Sequence, residues 1–225
     1  MSSTSVPVAL DRRSFRDLVQ SPRIMRARAL PLDRIHRARN TFLLRSVANG
    51  RLHVGCGATR FEGWLNIDRS RTRAVDIRLD LRGGLPAPVG SVQFAHSEHL
   101  IEHLDRDLAR RCLIDLRAAV RDDGVVRIAT PDLGYIVDRY RGDWQDQAWL
   151  ADPSYHHIAG PAEMLNVSMR AWGHRHLYDE DDLTRLLHNA GFSCVDRCSW
   201  GTSEHEELRD REIRPDSTLI LEARR

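Results

Sequence analysis

An α/β sheet with helices on its faces is the fold class this chain predicts. Three observations carry it. From residue 50 onward, short apolar runs alternate with helix-length patterns. A Gly-x-Gly turn, Gly55-Cys-Gly57, follows the first of these runs directly. The next two runs each end in a carboxylate, at Asp68 and at Asp80. In an open sheet, ligands bind outside the C-terminal strand ends, so a side-chain-free turn beside two carboxylates is a candidate site.

The elements follow in order. Strands are expected near 51–56, 64–68, 75–79, 92–96, 124–130, 192–200 and 217–223. A helix at 104–121 presents Leu108, Leu113, Ile114, Leu116 and Val120 on one side, and Asp122-Asp-Gly124 ends it and opens the fifth strand. Another helix starts near Pro131-Asp132. A third runs from Asp179 to Asn189, with acidic residues in its first turn and Gly191 past its end. Only five residues separate Gly57 from Gly63, whereas a parallel crossover usually takes a dozen or more, so a helix there is at most a stub. Residues 1–48 read as an N-terminal helical extension, with helices at 9–20 and 33–48. The second has an arginine-rich side, read either as a solvated face or as a lid or dock for an anionic substrate or membrane surface. Residues 141–176 form a long insertion carrying three tryptophans and several histidines, read as a lid over substrate or as a satellite core.

Composition narrows the classes. The net charge of +2 gives no global pull toward nucleic acid or membrane. The Lys+Arg count of 34 is entirely arginine, so arginine abundance is not in itself a phosphate signal. There is no apolar run of membrane-spanning length and no signal-peptide core. Four irregularly spaced cysteines suggest no disulfide framework, and a cytoplasmic setting is expected. Cys194-x-x-x-Cys198 reads as two buried strand thiols rather than half a metal site.

Leu52-His-Val-Gly-Cys-Gly57, Gly63-Trp-Leu-Asn-Ile-Asp68, Glu102-His-Leu104, Thr130-Pro-Asp-Leu133 and Gly173-His-Arg-His-Leu-Tyr-Asp179 stand in this order. Together they resemble class I S-adenosylmethionine-dependent methyltransferases over roughly residues 50–225. The similarity is greatest to a bacterial group associated with glycosyltransferases and with polysaccharide or natural-product pathways. The resemblance implies a Rossmann-like, mostly parallel sheet with an antiparallel last strand, and S-adenosyl-L-methionine as cofactor. It further implies that Gly55, Cys56 and Gly57 hold the methionine moiety and that Asp68 accepts from the ribose. Asp80 would accept from the adenine amino group, with Leu81 covering the ring. The rim after the fourth strand, including Ser97, would fix the α-amino group. The expected partner is a small-molecule or sugar acceptor, not nucleic acid.

Methyl transfer asks the protein to align a nucleophile and, for a hydroxyl, to remove its proton. Histidine is the natural base near neutral pH, and the candidates are His103, His174, His99 and His176, with Asp132 another. His99-Leu-Ile-Glu102-His103 also spells the inverted zinc-protease pattern, whose two histidines a helix would place on one face. No metal is assigned, but a metal-dependent enzyme built on His99, Glu102 and His103 stays open beside the methyltransferase reading. So does a cofactor-binding scaffold without turnover.

Overall fold

The computed structural model describes residues 50–225, so the expected helices at 9–20 and 33–48 and the boundary at residue 48 lie outside the described residues. The described chain forms one seven-stranded sheet: β1 (Arg51–Val54), β2 (Leu65–Asp68), β3 (Ile77–Arg78), β4 (Val92–Glu98), β5 (Val120–Thr130), β6 (Cys194–Arg197) and β7 (Leu219–Arg224). Their order across the sheet is β3-β2-β1-β4-β5-β7-β6. The first five strands pair in parallel, while β7 runs antiparallel between β5 and β6. The order reverses at β1, which has β2 on one side and β4 on the other, so the strand ends open a crevice there. This is the expected Rossmann-like arrangement.

Each strand's alternation decides what covers it. Leu52 and Val54 of β1, Ala95 of β4, and Val126 and Ile128 of β5 point to the main apolar core. That core is closed by α1 (Arg106–Ala119) and α4 (Glu180–Asn189) through Leu113, Leu116, Leu183 and Leu187. Asp105 caps α1 by accepting from the Leu108 N–H, and Asp179 caps α4 by accepting from that of Asp182. α2 (Leu133–Arg141) begins at Asp132, which accepts from the Gly134 N–H.

The opposite face is different. His53, Phe94, His96, Val125 and Arg127 lie there, covered by Phe61 and Trp64 and by the loop 198–216, whose single helical turn at Glu206–Leu208 packs Leu208 against them. The fully buried Arg127 guanidinium donates to Glu212 at 2.6 Å and to Glu222 at 2.7 Å, so its charge is neutralised inside the protein. Glu212 also lies 3.4 Å from His96. Burial opposes the Glu212 charge, but His96 and Arg127 outweigh it and hold its pKa at about 2. Burial works the other way on His53, bringing it down to about 3.

The short β1–β2 connection expected from the sequence holds, and two other expectations, on the start of the fifth strand and on Cys194 and Cys198, are corrected. The β1–β2 connection has no helix. Buried Asn66 takes its place: its Oδ1 accepts from the Phe61 N–H, and its Nδ2 donates to the carbonyls of Phe61 and Trp64. One side chain thereby satisfies the backbone groups a helix would have paired. The fifth strand starts at Val120 rather than Gly124, because Val120 already pairs with Val92 ahead of a bulge. A Cβ at Gly124 would come within 2.6 Å of Val120, so glycine is required there. Cys194 and Cys198 are half-buried, not interior, and all four cysteines are free.

The insertion contains α3 (Pro161–Arg170) and several single helical turns. Ile136, Ile158, Met164 and Leu177 form its core, with Trp144, Trp149 and Tyr155 packed against it. No described helix is long and apolar enough to cross a membrane.

Candidate active site

A cleft of about 550 Å³ opens at the strand order reversal. Its floor is the Gly55–Gly57 turn, its far wall Asp68, Asp80 and Leu81, and its near rim Glu98, His99 and Leu100. Of the residues expected to bind cofactor, Gly55, Cys56, Gly57, Asp68, Asp80 and Leu81 all line it. Ser97 does not: it faces a small apolar cavity beneath, among Leu85, Cys112 and Leu116.

The turn works otherwise than a Gly-rich loop with free N–H groups. The Gly55 and Cys56 N–H groups both donate to the Ile67 carbonyl, and that of Gly57 donates to Asp68 Oδ2 at 3.0 Å. What the turn offers is space. Gly55 (φ +73) lies so close to Leu100 that a Cβ would approach it to 2.9 Å. Gly57 (φ +56) has nothing within 4 Å of where its Cβ would stand. One glycine therefore serves packing and the other keeps the cleft floor bare.

Asp68 is fixed at both oxygens. Burial opposes its charge, but the Ser70 and Gly57 N–H groups donate to it and bring its pKa below the usual carboxylate value. Its remaining lone pairs can accept from a diol. Asp80 is held ionised chiefly by Arg82, which chelates it. Cys56 is no nucleophile: burial, with Asp68 and Asp76 nearby, pushes its thiol up to about 12.

Residues 26–197 match a family whose model is described as a methyltransferase domain. The chain belongs to this family. Among curated proteins, no sequence matches. Among solved structures, the chain is similar to a SAM-dependent methyltransferase from Archaeoglobus fulgidus, at 14% identity and TM-score 0.44, covering 84% of this chain and 92% of that one. It is also similar to the YcgJ protein from Bacillus subtilis, at 11% identity and TM-score 0.44, covering 84% and 99%. For the mitomycin 7-O-methyltransferase MmcR the values are 13% identity and TM-score 0.43, covering 85% and 54%. The protein is thus a transferase that uses S-adenosyl-L-methionine. The bare floor over Gly57, the carboxylate of Asp68 at the end of β2 and that of Asp80 just beyond β3 fit such a cofactor.

Beside this cleft, the methyltransferase gathers His99, His103 and His174 around one buried carboxylate. His99 follows β4 in a left-handed conformation (φ 49), and a single helical turn, Ile101–His103, comes next. The His-x-x-Glu-His pattern is therefore not helical, and its two histidines do not share a helix face. Glu102 is fully buried and accepts from Thr130 Oγ1 at 3.0 Å. His99 Nδ1 stands 3.0 Å from Glu102 Oε1, without the alignment of a hydrogen bond. Burial opposes charge on Glu102, but His99 prevails and lowers its pKa.

His103 lines the cleft, and its ring centroid lies 5.1 Å from that of His174. His174 lines a second, smaller pocket instead. Its Nδ1 sits 2.7 Å from the Ser168 carbonyl. A carbonyl only accepts, so Nδ1 carries the proton and Nε2 presents a lone pair. Burial lowers the His174 pKa and keeps the ring neutral. Glu102, His103 and His174 each offer an atom within 4.8 Å of the others, a possible two-histidine, one-carboxylate ligand set that includes His174 rather than His99. His176 is elsewhere, bound to Asp182 and Arg106. Asp132 is spent on capping α2 and on Arg197.

Two contributors had no signal in the sequence. Glu98, at the end of β4, accepts from the Ile213 and Arg214 N–H groups and from Ser217 Oγ, which ties the loop 198–216 over the rim. Asp216 from that loop reaches within 3.6 Å of His99 Nε2. Both depend on contacts more than a hundred residues apart.

Proposed function

We propose that this methyltransferase methylates a hydroxyl of a small molecule or glycan, with His174 as the general base. Bound in the cleft, the cofactor supplies a methyl group already activated on a sulfonium. Gly57 gives it a bare floor, Asp68 accepts from its ribose hydroxyls, and Asp80 with Leu81 receives the adenine. Loop 198–216, tied down by Glu98, excludes water from the rim. As the acceptor oxygen takes the methyl group, its proton moves to His174 Nε2. The buried, ionised Glu102 stabilises the imidazolium that forms, and His103 and His99 orient the group around that carboxylate.

The observation that carries the assignment of the base is the Ser168 carbonyl on His174 Nδ1, which fixes the tautomer a base requires. With an acceptor in hand, His174→Ala should lower turnover by roughly 10²–10⁴-fold while affinity for S-adenosylhomocysteine stays unchanged. Equal turnover in the variant rejects His174. If a chelator abolishes activity and a divalent ion restores it, Glu102, His103 and His174 act as metal ligands instead.

A further inference from the structure

The second pocket, about 190 Å³, meets the histidine cluster through His174, whose ring lies 5.1 Å from that of His103 in the lining of the cofactor cleft. Its polar groups come from different walls. Gln147 stands on the insertion, Asp216 and Thr218 on the approach to β7, and His174 on the side nearest the cofactor cleft. Trp149 and Trp172 form an aromatic wall, their rings 5.2 Å apart and edge to face. Trp172 is held with φ 55 and donates from Nε1 to the Tyr155 hydroxyl at 2.6 Å. Gln147 is 7% exposed, and its Nε2 is buried with no hydrogen-bond partner. A buried amide donor left unpaired is costly, so an unpaired one lining a pocket marks where a ligand atom belongs.

The chemistry of these groups selects among ligands. Gln147 Nε2 can only donate, so the ligand must carry an acceptor. Asp216 can only accept when ionised, so the ligand must also carry a donor. A quaternary or protonated amine serves Asp216 and leaves Gln147 unpaired. A carboxylate or phosphate serves Gln147 but faces Asp216, and no arginine lines the pocket; Asp146, also in the lining, is paired with Arg139 at 2.7 Å. Hydroxyls do both, and a ring bearing them on several sides reaches several walls while its C–H faces lie on tryptophan. We propose that this pocket holds an uncharged polyhydroxylated ring, a glycosyl residue of the acceptor, with Gln147 as a positioning residue that brings one hydroxyl to His174. This rests on the methyltransferase reading given above.

The test is ligand-observed saturation-transfer NMR on the full chain with S-adenosylhomocysteine present. The probes are methyl glucoside, methyl galactoside, methyl rhamnoside, choline, catechol and UDP-glucose. At least one methyl glycoside is expected to bind, with transfer strongest at its ring C–H protons, and binding should be lost in Trp172→Ala. Gln147→Leu should weaken it roughly three- to tenfold while leaving the thermal midpoint of the free protein unchanged or higher, because it removes an orphan donor. A structural role for Gln147 would lower that midpoint instead. The inference is overturned if choline or catechol binds and no glycoside does, if UDP-glucose binds tenfold or more tighter than methyl glucoside, or if nothing binds at tens of millimolar. Affinity for S-adenosylhomocysteine, measured on the same samples, separates the two claims. Its absence in the wild type sinks the methyltransferase site, whereas its presence without glycoside binding sinks only the glycosyl pocket.

Discussion

Replacing Gly57 by alanine separates backbone strain from lost ligand space. Gly57 has φ +56, so any side chain there incurs a left-handed penalty of about 1–2 kcal/mol. Its Cβ meets no protein atom within 4 Å, so no clash adds to that figure. For a chain of this size each kcal/mol moves the thermal midpoint by about 2–4 °C, so a fall of about 2–8 °C is expected. Gly63 is the matched control: φ +76, nothing within 4 Å, and no part in lining the cleft. Gly63→Ala should lower the midpoint by a similar amount. The variants should part in calorimetry with S-adenosylhomocysteine. Overpacking by one methyl group costs about 1–3 kcal/mol, so Gly57→Ala should weaken binding by roughly 5- to 150-fold, while Gly63→Ala binds as wild type. Wild-type affinity in Gly57→Ala would falsify the cofactor's place over this turn.

Three further outcomes follow from the same geometry. Asp68→Ala should weaken S-adenosylhomocysteine roughly tenfold or more by isothermal titration, since it removes the diol acceptor and the ties to Gly57 and Ser70; unchanged affinity would move the ribose contact elsewhere. The acid limb of turnover should lie below the ordinary histidine range, because His174 is lowered by burial and is a base only when neutral, so activity rises with pH and levels off before neutrality; a limb at or above pH 7 speaks against His174. Stability should fall in acid in two stages, followed by urea titration at each pH. His53 has its folded pKa depressed to about 3, so its contribution is intact above about pH 6.5 and is lost as the unfolded chain takes up the proton. Glu212, depressed to about 2, contributes above about pH 4.5, with roughly 3 kcal/mol lost as pH falls toward 2. His53→Phe should flatten the upper stage, and an unchanged profile would contradict the neutral buried imidazole.

The sequence exposed what is local. Leu52, Val54, Ile67 and Ile77 could be read as strands because period-two burial is a property of neighbours along the chain, and Asp68 and Asp80 stood out as carboxylates closing such runs. The mostly parallel sheet with an antiparallel last strand followed from resemblance, whereas the order of its strands was first shown by the structure. The opposite sheet face was not legible, because Arg127, Glu212 and Glu222 read singly as surface charges and become interior only when loop 198–216 folds across the sheet. Asn66 hid for the same reason, since nothing in a strand's pattern says that its amide will substitute for a helix. At the site, His103 and His174 were visible as types. The Ser168 carbonyl that fixes the tautomer, the Glu98 ties to residues 213–217 and the unpaired Gln147 amide exist only in three dimensions. Ser97 illustrates the limit of a one-residue offset: it faces the core beneath the cleft while Glu98 reaches the rim.

A crystal structure grown with S-adenosylhomocysteine shows where the cofactor binds. The ligand should lie in the cleft, its ribose on Asp68, its adenine beside Leu81 and Asp80, and its sulfur on the side of His103 and His174. The ligand bound anywhere else, or lying in this cleft with its sulfur turned away from the two histidines, would contradict that placement.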